Sequence, residues 1–269
     1  MRFPIFILLC ISVLFTSCSE YQKVLRKDDM AKKYAFADSL YQKGKYKKAL
    51  KLMEQLVPAY RGKPQAEKLT YLYANTFYEL EDYFSAGYQF ERFTQAYPQS
   101  DSTEVAYFKS AKSFYQLSEK YSLDQKETYR GMEKLQGFIN TYPNSDKRME
   151  ANVLITELRT KLEKKQFETA RQYYRIEDYK ASIESFDNFI ADNPGTIYRE
   201  QAFLYRLKAS YKLAINSLPF LVQERLQTAK GHYNNYSKYY KDTESAAEAN
   251  EINQNIEERL VPTETKPTI

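Results

Sequence analysis

Glycine is scarce in this chain, seven residues in 269, where average usage of roughly 7% would supply about 19. Hairpin-rich β architectures lose the turn chemistry they depend on. Tryptophan is absent, His232 is the one histidine, and the cysteines are two, Cys10 and Cys18. These shortages leave no His/Cys dyad, no Ser-His-Asp set, no thiol or imidazole spacing for a metal and no glycine-rich phosphate loop. Carboxylates such as Asp28-Asp29 and Glu79-Leu80-Glu81-Asp82 are what helix faces and turns carry routinely. No enzymatic activity and no cofactor are therefore expected. A net charge of +5 from 40 basic and 35 acidic residues is too mild for phosphate-driven binding, which sets nucleic acid aside as a partner.

What is abundant is the aromatic ring: 26 Tyr and 16 Phe, 16% of the chain, within a composition 43% hydrophobic and 28% charged that belongs to folded proteins. At the N-terminus Arg2 precedes the apolar stretch Phe3 to Phe15, about half of the ~20 residues a membrane-spanning helix needs. It reads as a secretory signal. Thr16-Ser17-Cys18, with Leu14 close by, resembles the lipobox of bacterial lipoproteins, with Phe15 departing from the usual Leu. That resemblance implies cleavage before Cys18 and acylation of its thiol and new amine. The plainer alternative is a cleaved signal with a coincidental cysteine. Two or three acyl chains, at ~0.8 kcal/mol per buried methylene, hold far more firmly than one. Ser19 in place of the Asp of inner-membrane retention favours the outer membrane by the same analogy. Residues 1–17 are thus a signal, 18–27 a lipidated polar tether, and 261–269 a frayed tail.

Between these ends the chain repeats itself. Phe93 to Ser100, Phe138 to Ser145, Phe189 to Thr196 and the degenerate Tyr236 to Thr243 read alike, with Leu56 to Lys63 a looser first copy. Each is a helix end: a buried aromatic, a proline that stops the ladder, then Ser, Thr or Asp able to cap the next helix. Upstream the small and large residues recur as Ala37, Leu40, Ala49, Met53; as Ala74, Phe77, Ala86, Phe90; as Ala111, Phe114, Gly131, Leu135; and as Ala170, Tyr173, Ser182, Phe186. A fifth copy reads Tyr211, Ala229, Tyr233, broken at Asn216-Ser217-Leu218-Pro219, and Arg148 to Lys165 is an extra helical run. The spacing resembles the tetratricopeptide pattern, in which small residues let two antiparallel helices approach. The expectation is an all-α, right-handed superhelical solenoid of about five helix pairs, with copies one to three in 28–146 and the extra helix and copies four and five in 147–260.

In that register the residues three before and four after each tight position of the first helix face the inner groove. They are Tyr34 and Tyr41, Tyr71 and Tyr78, Phe108 and Tyr115, Phe167 and Tyr174, then Tyr205 and Lys212, nine of ten aromatic where 16% usage gives one or two. Asp38, Asn75, Lys112 and Arg171 lie between the pairs. One reading is a peptide groove, since rigid rings give wide contact area at small entropy cost. The other is core, because aromatic stripes at helical spacing are commonly buried. For copies four and five the core or a protein interface is favoured, with Tyr205 and Lys212 the docking candidates. His232 is expected at a surface or interface.

A lipobox followed by these five copies, with Leu158 to Phe167 leading into Ala170 and Tyr173-Tyr174, resembles the BamD family of outer-membrane lipoproteins, subunits of the β-barrel assembly machinery. The resemblance covers Cys18 to about Leu260. It implies a periplasm-facing scaffold on the outer membrane, whose N-terminal copies receive the C-terminal signal of unfolded outer-membrane protein precursors and whose C-terminal copies dock a BamA-like barrel subunit. A periplasmic repeat lipoprotein that coordinates other envelope or peptidoglycan processes is the alternative, disfavoured by the absence of a sustained heptad run.

Overall fold

The computed structural model describes residues 19–260; Cys18, the expected signal at 1–17 and the expected tail at 261–269 lie outside the described residues. Twelve helices and no strand are found among those described: α1 Ser19–Arg26, α2 Met30–Gln42, α3 Tyr46–Ala59, α4 Ala66–Glu79, α5 Tyr83–Ala96, α6 Thr103–Gln116, α7 Lys126–Thr141, α8 Arg148–Arg175, α9 Tyr179–Asp192, α10 Arg199–Ile215, α11 Pro219–Tyr240 and α12 Ala246–Arg259. None of them is long and apolar enough to cross a membrane. They form two compact units. The first runs to Glu119 and adds Gln125–Leu158; the second takes Lys120–Asp124 and continues from Arg159. In each unit, consecutive helices pack in chain order.

The repeat pattern explains both units. The tight positions Ala37, Ala49, Ala74, Ala86, Ala111, Ala170, Ser182 and Ala229 are all at or below 1% exposure, and Gly131 is buried with them. A Cβ on Gly131 would lie 3.2 Å from the backbone of Phe114 and Tyr115 and 3.1 Å from Leu158, so α6 and α7 approach there only because the residue is glycine. Large rings fill the remaining space: Phe90, Phe93, Phe114 and Phe138 in the first unit and Phe186 in the second are fully buried, each contributing about 1.5–3 kcal/mol.

The joints are equally regular. The turn inside the pair places one residue at positive φ in three copies, Gly44 at 67°, Glu81 at 60° and Glu177 at 64°. The next residue opens the second helix. Asp82 and Asp178 do so with a side-chain cap on the Ser85 and Ala181 amides, both at 3.1 Å. After the second helix, the Ser100, Ser145 and Thr196 hydroxyls accept the backbone N–H two residues on, at 3.1–3.2 Å, and carry the chain around the proline into the next helix.

Three features differ from the sequence expectation. The polar tether is helical from Ser19, because Tyr21, Val24 and Leu25 form an apolar i, i+3, i+4 face; Val24 is 3% exposed in the first core. The extra run and the first helix of copy four are one 28-residue helix, α8, with neither Gly nor Pro to interrupt it. Finally α12, whose apolar face is reduced to Ala246, Ala249 and Ile256, closes the second unit against α10 and α11.

Candidate functional site: a tyrosine and lysine row on the first helices

In the first unit the first helix of each pair, α2, α4 and α6, and the opening of α8 bring their polar side chains into one connected row. The Tyr41 hydroxyl on α2 accepts from the Asn75 amide on α4. The Asn75 carbonyl oxygen accepts from Lys109 Nζ on α6. That ammonium lies 5.3 Å from the centroid of Tyr78 and 6.0 Å from that of Phe90. Lys112, one turn on, bonds Glu150 of α8 at 2.7 Å, and the Tyr115 hydroxyl donates to Glu157 of α8. The row thus links α2, α4 and α6 and, from Lys112 and Tyr115 on α6, the opening of α8.

The rings beneath it are anchored, not free. Tyr34 packs on Tyr60 at 5.4 Å, Tyr41 edge-on to Tyr46 at 5.4 Å, Tyr71 on Phe90 and Phe93 at 5.9 and 5.4 Å, and Tyr78 on Tyr83 at 5.5 Å. All four, and Tyr115, are half-buried: one side of each ring is core and the remainder meets solvent. Phe108, expected beside them, is 5% exposed and sits on Phe138 at 5.1 Å. With no hydroxyl to bring to water it belongs to the core. Asp38 pairs with Lys68 of α4 at 3.4 Å and is not connected to the Asn75 chain.

Electrostatics set the protonation of the row. Burial pushes the Tyr41, Tyr71 and Tyr78 hydroxyls above the ordinary tyrosine range, so all three stay neutral donors. The bond to Glu157, with burial behind it, holds Tyr115 up at about 12. Burial lowers Lys109 from the usual lysine value, and it finds no carboxylate within ion-pair distance among the described residues. It rests on Asn75 and two ring faces. A half-desolvated cation that reaches its nearest carboxylate, Glu79, only through Asn75, flanked by neutral phenol donors, suits an acceptor-rich, extended and partly apolar ligand. Among the described residues no group of three or more His, Cys, Asp or Glu side chains is placed to hold a metal.

Sequence reasoning missed Lys109, Glu150 and Glu157. Lys109 lies one position off the register used to pick the groove, and the two glutamates belong to the run, Arg148 to Lys165, read as an extra helix outside the pairs. Their signal was the i, i+7 spacing of Glu150 and Glu157, which matches Phe108 and Tyr115 one helix earlier.

In the second unit the same register gives rings buried to the same degree as in the first but packed on one another. Phe167 is 4% exposed. Tyr205 is wedged among Phe167, Tyr174 and Phe186, at 6.0, 5.5 and 5.9 Å, under Lys208 Nζ at 5.0 Å. Lys212 is exposed two turns along α10, and Arg171 pairs with Glu168 at 2.8 Å. His232, expected at a surface or interface, is half-buried against α10. Its Nδ1 is 2.5 Å from Ser210 Oγ, beside Arg206, which is 7% exposed and bonded to Asp187 at 2.6 Å. Burial first, and then the Arg206 charge, lower its pKa to about 4; a surface histidine would have shown neither effect.

The family model described as YfiO, outer membrane lipoprotein, matches residues 26–225. That span holds the whole row, the four pairs from α2 to α9, α10 and the start of α11, and leaves out all but the last residue of α1, the rest of α11 and α12. Among solved structures the chain is similar to the TPR2AB domain of yeast Sti1 in its complex with pHSP90, at 13% identity over 85% of this chain and 98% of that one, with a TM-score of 0.38. No curated protein matches the chain.

Proposed function

The chain belongs to the YfiO family of outer membrane lipoproteins, the BamD family, and from that premise we propose that it is a non-catalytic scaffold of the β-barrel assembly machinery, held on the periplasmic side of the outer membrane through Cys18. Its first unit binds the extended C-terminal segment of unfolded outer-membrane protein precursors. Its second unit docks a BamA-like barrel subunit, for which Tyr205 and Lys212 remain the sequence candidates. The observation that carries the first role is the connected row from Tyr41 to Glu157, whose half-buried rings offer apolar contact beside hydroxyl and ammonium donors. A precursor end rich in aromatic side chains and carbonyl acceptors matches that chemistry.

Two measurements test this. Replacing Tyr71 and Tyr78 together by Ala should weaken binding of an aromatic-ended peptide by about tenfold or more, the loss expected of two central aromatic contacts, while far-ultraviolet circular dichroism stays helical. Retained affinity in a folded variant would remove the groove. Capture on tagged protein from detergent-solubilised envelopes should recover a large barrel protein with periplasmic domains; recovery of cell-wall enzymes alone would move the assignment to an envelope coordinator.

A further inference from the structure

The first unit carries a lysine corner that its own fold does not use. Lys43, Lys45, Lys47 and Lys48 crowd the turn between α2 and α3 and the first turn of α3, with Lys51 one turn on and no acidic residue from Gln42 to Met53. Lys43, Lys45 and Lys47 are exposed, and among the described residues none of their ammonium groups has a carboxylate, hydrogen-bond or ring partner. Local electrostatics account only for Lys43, a cation at the C-cap of α2; Lys45 and Lys47, at the N-cap and in the first turn of α3, oppose its dipole, and neighbouring lysines repel one another.

The placement of the corner relative to the chain's start does account for them. Ser19, the residue after Cys18, already lies in α1. A three-residue link joins α1 to α2, against which it packs, so the start of α1 points toward the end of α2 and the lysine turn. Side-chain contacts agree: the Tyr21 hydroxyl donates to the Lys48 carbonyl oxygen at 3.4 Å, and Lys48 Nζ lies 5.4 Å from the centre of the Tyr21 ring. Ser19 is about 3 Å further along the axis. With Val24 in the core, α1 is a packed helix where a polar tether was expected. An acyl group on the preceding residue would hold this end of the first unit at the bilayer surface, where the headgroup layer is about 5–8 Å deep and within reach of lysine side chains.

We infer that Lys43, Lys45 and Lys47 bind the phosphate groups of anionic phospholipid headgroups, giving the anchored chain a second, electrostatic membrane contact. Acyl chain plus basic patch is a known physical route to firm peripheral binding, and the contact would fix how the first unit stands on the membrane. The inference rests on the lipoprotein reading of Cys18, so its test uses a chain from which that residue's contribution has been removed.

The full chain carrying Cys18→Ser is mixed with phosphatidylcholine vesicles prepared with or without phosphatidylglycerol, and the bound fraction is measured by co-sedimentation. Binding should require phosphatidylglycerol, weaken as salt is added, and drop by at least about tenfold in the triple variant Lys43→Glu, Lys45→Glu, Lys47→Glu. The matched triple Lys180→Glu, Lys238→Glu, Lys241→Glu in the second unit should bind like its parent. Phosphatidylglycerol vesicles should also slow amine-reagent labelling of the three lysines in the parent chain, a readout that needs no folded variant. Equal binding to both vesicle types, equal loss in the two triples, or unchanged labelling would overturn the inference. Palmitate labelling of the Cys18 chain reports on the anchor separately.

Discussion

The two units apply one repeat grammar to different ends. In the first, tyrosines at the groove register pack one side on their own pair and meet polar groups of the next first helix, Tyr41 with Asn75 and Tyr115 with Glu157. In the second, the same positions turn toward each other, and Phe167, Tyr174 and Tyr205 close into an aromatic cluster over Phe186. Burial does not separate the two, since Tyr174 and Tyr205 are half-buried like Tyr41 and Tyr78 and Phe167 is buried like Phe108; the spacing fixes how deep a ring sits but not what it touches. What differs is the partner that the following first helix presents: the Asn75 amide and Lys109 in the first unit, a second ring, Tyr205, together with Lys208 in the second.

The largest way to break this contrast is to remove the centre of the second cluster. Phe186 is fully buried, and Phe186→Ala should cost about 3–5 kcal/mol, the range for a buried phenylalanine whose cavity cannot close. Tyr78→Ala, which empties a half-exposed site in the first unit, should cost less than half of that. Urea unfolding of the full chain, followed at several wavelengths, measures both. Equal losses would mean that the first row is as sealed as the second cluster, and the contrast would fall.

A second test needs no substitution at a ring. The chain's one histidine belongs to the second unit, with its folded pKa lowered to about 4 from an unfolded value near 6.5. The unfolded chain takes up the proton first, so stability from this site is complete above pH 6.5 and is lost as pH falls toward 4, at up to about 1.4 kcal/mol per pH unit. Carboxylates add their own slope only lower in that window. Stability of the wild type should therefore decline between pH 6.5 and 5 while His232→Gln stays nearly level. Matching profiles would show that the imidazole is solvated and that the second core is looser than its Ser210 contact implies.

Helix pairing was legible in the sequence because it depends on small residues at fixed intervals, and Ala37, Ala74, Ala111 and Ala170 mark those intervals without ambiguity. The joints were legible for the same reason, with proline and a hydroxyl residue repeated at each. What escaped was everything set by a neighbour in space. α1 looked polar because only Tyr21, Val24 and Leu25 of eight residues touch the core. His232 was read only as a surface or interface residue because the groups around it, Asp187, Arg206 and Ser210, lie on α9 and α10. Lys109 was passed over because its partner Asn75 is 34 positions earlier. The aromatic count announced a face with a purpose; only the cross-helix partners divide it into a row and a cluster.

The smallest expected effect probes the far end of that row. The Tyr115 hydroxyl is held up at about 12 by its bond to Glu157 and by partial burial, against about 10 in the unfolded chain. A raised tyrosine pKa means that its contribution is present below pH 10 and is lost as pH rises toward 12. Tyr115→Phe keeps the ring and removes the donor. Since Glu157 is exposed and water can replace the lost partner, stability at neutral pH should change by no more than about 1 kcal/mol. Ultraviolet titration should lose one late-ionising phenol, and the remaining profile should be unchanged. If the late phase kept its full amplitude in the variant, the Tyr115 to Glu157 link would not be the end of the row, and the helix face from Tyr41 onward would stop at Lys112.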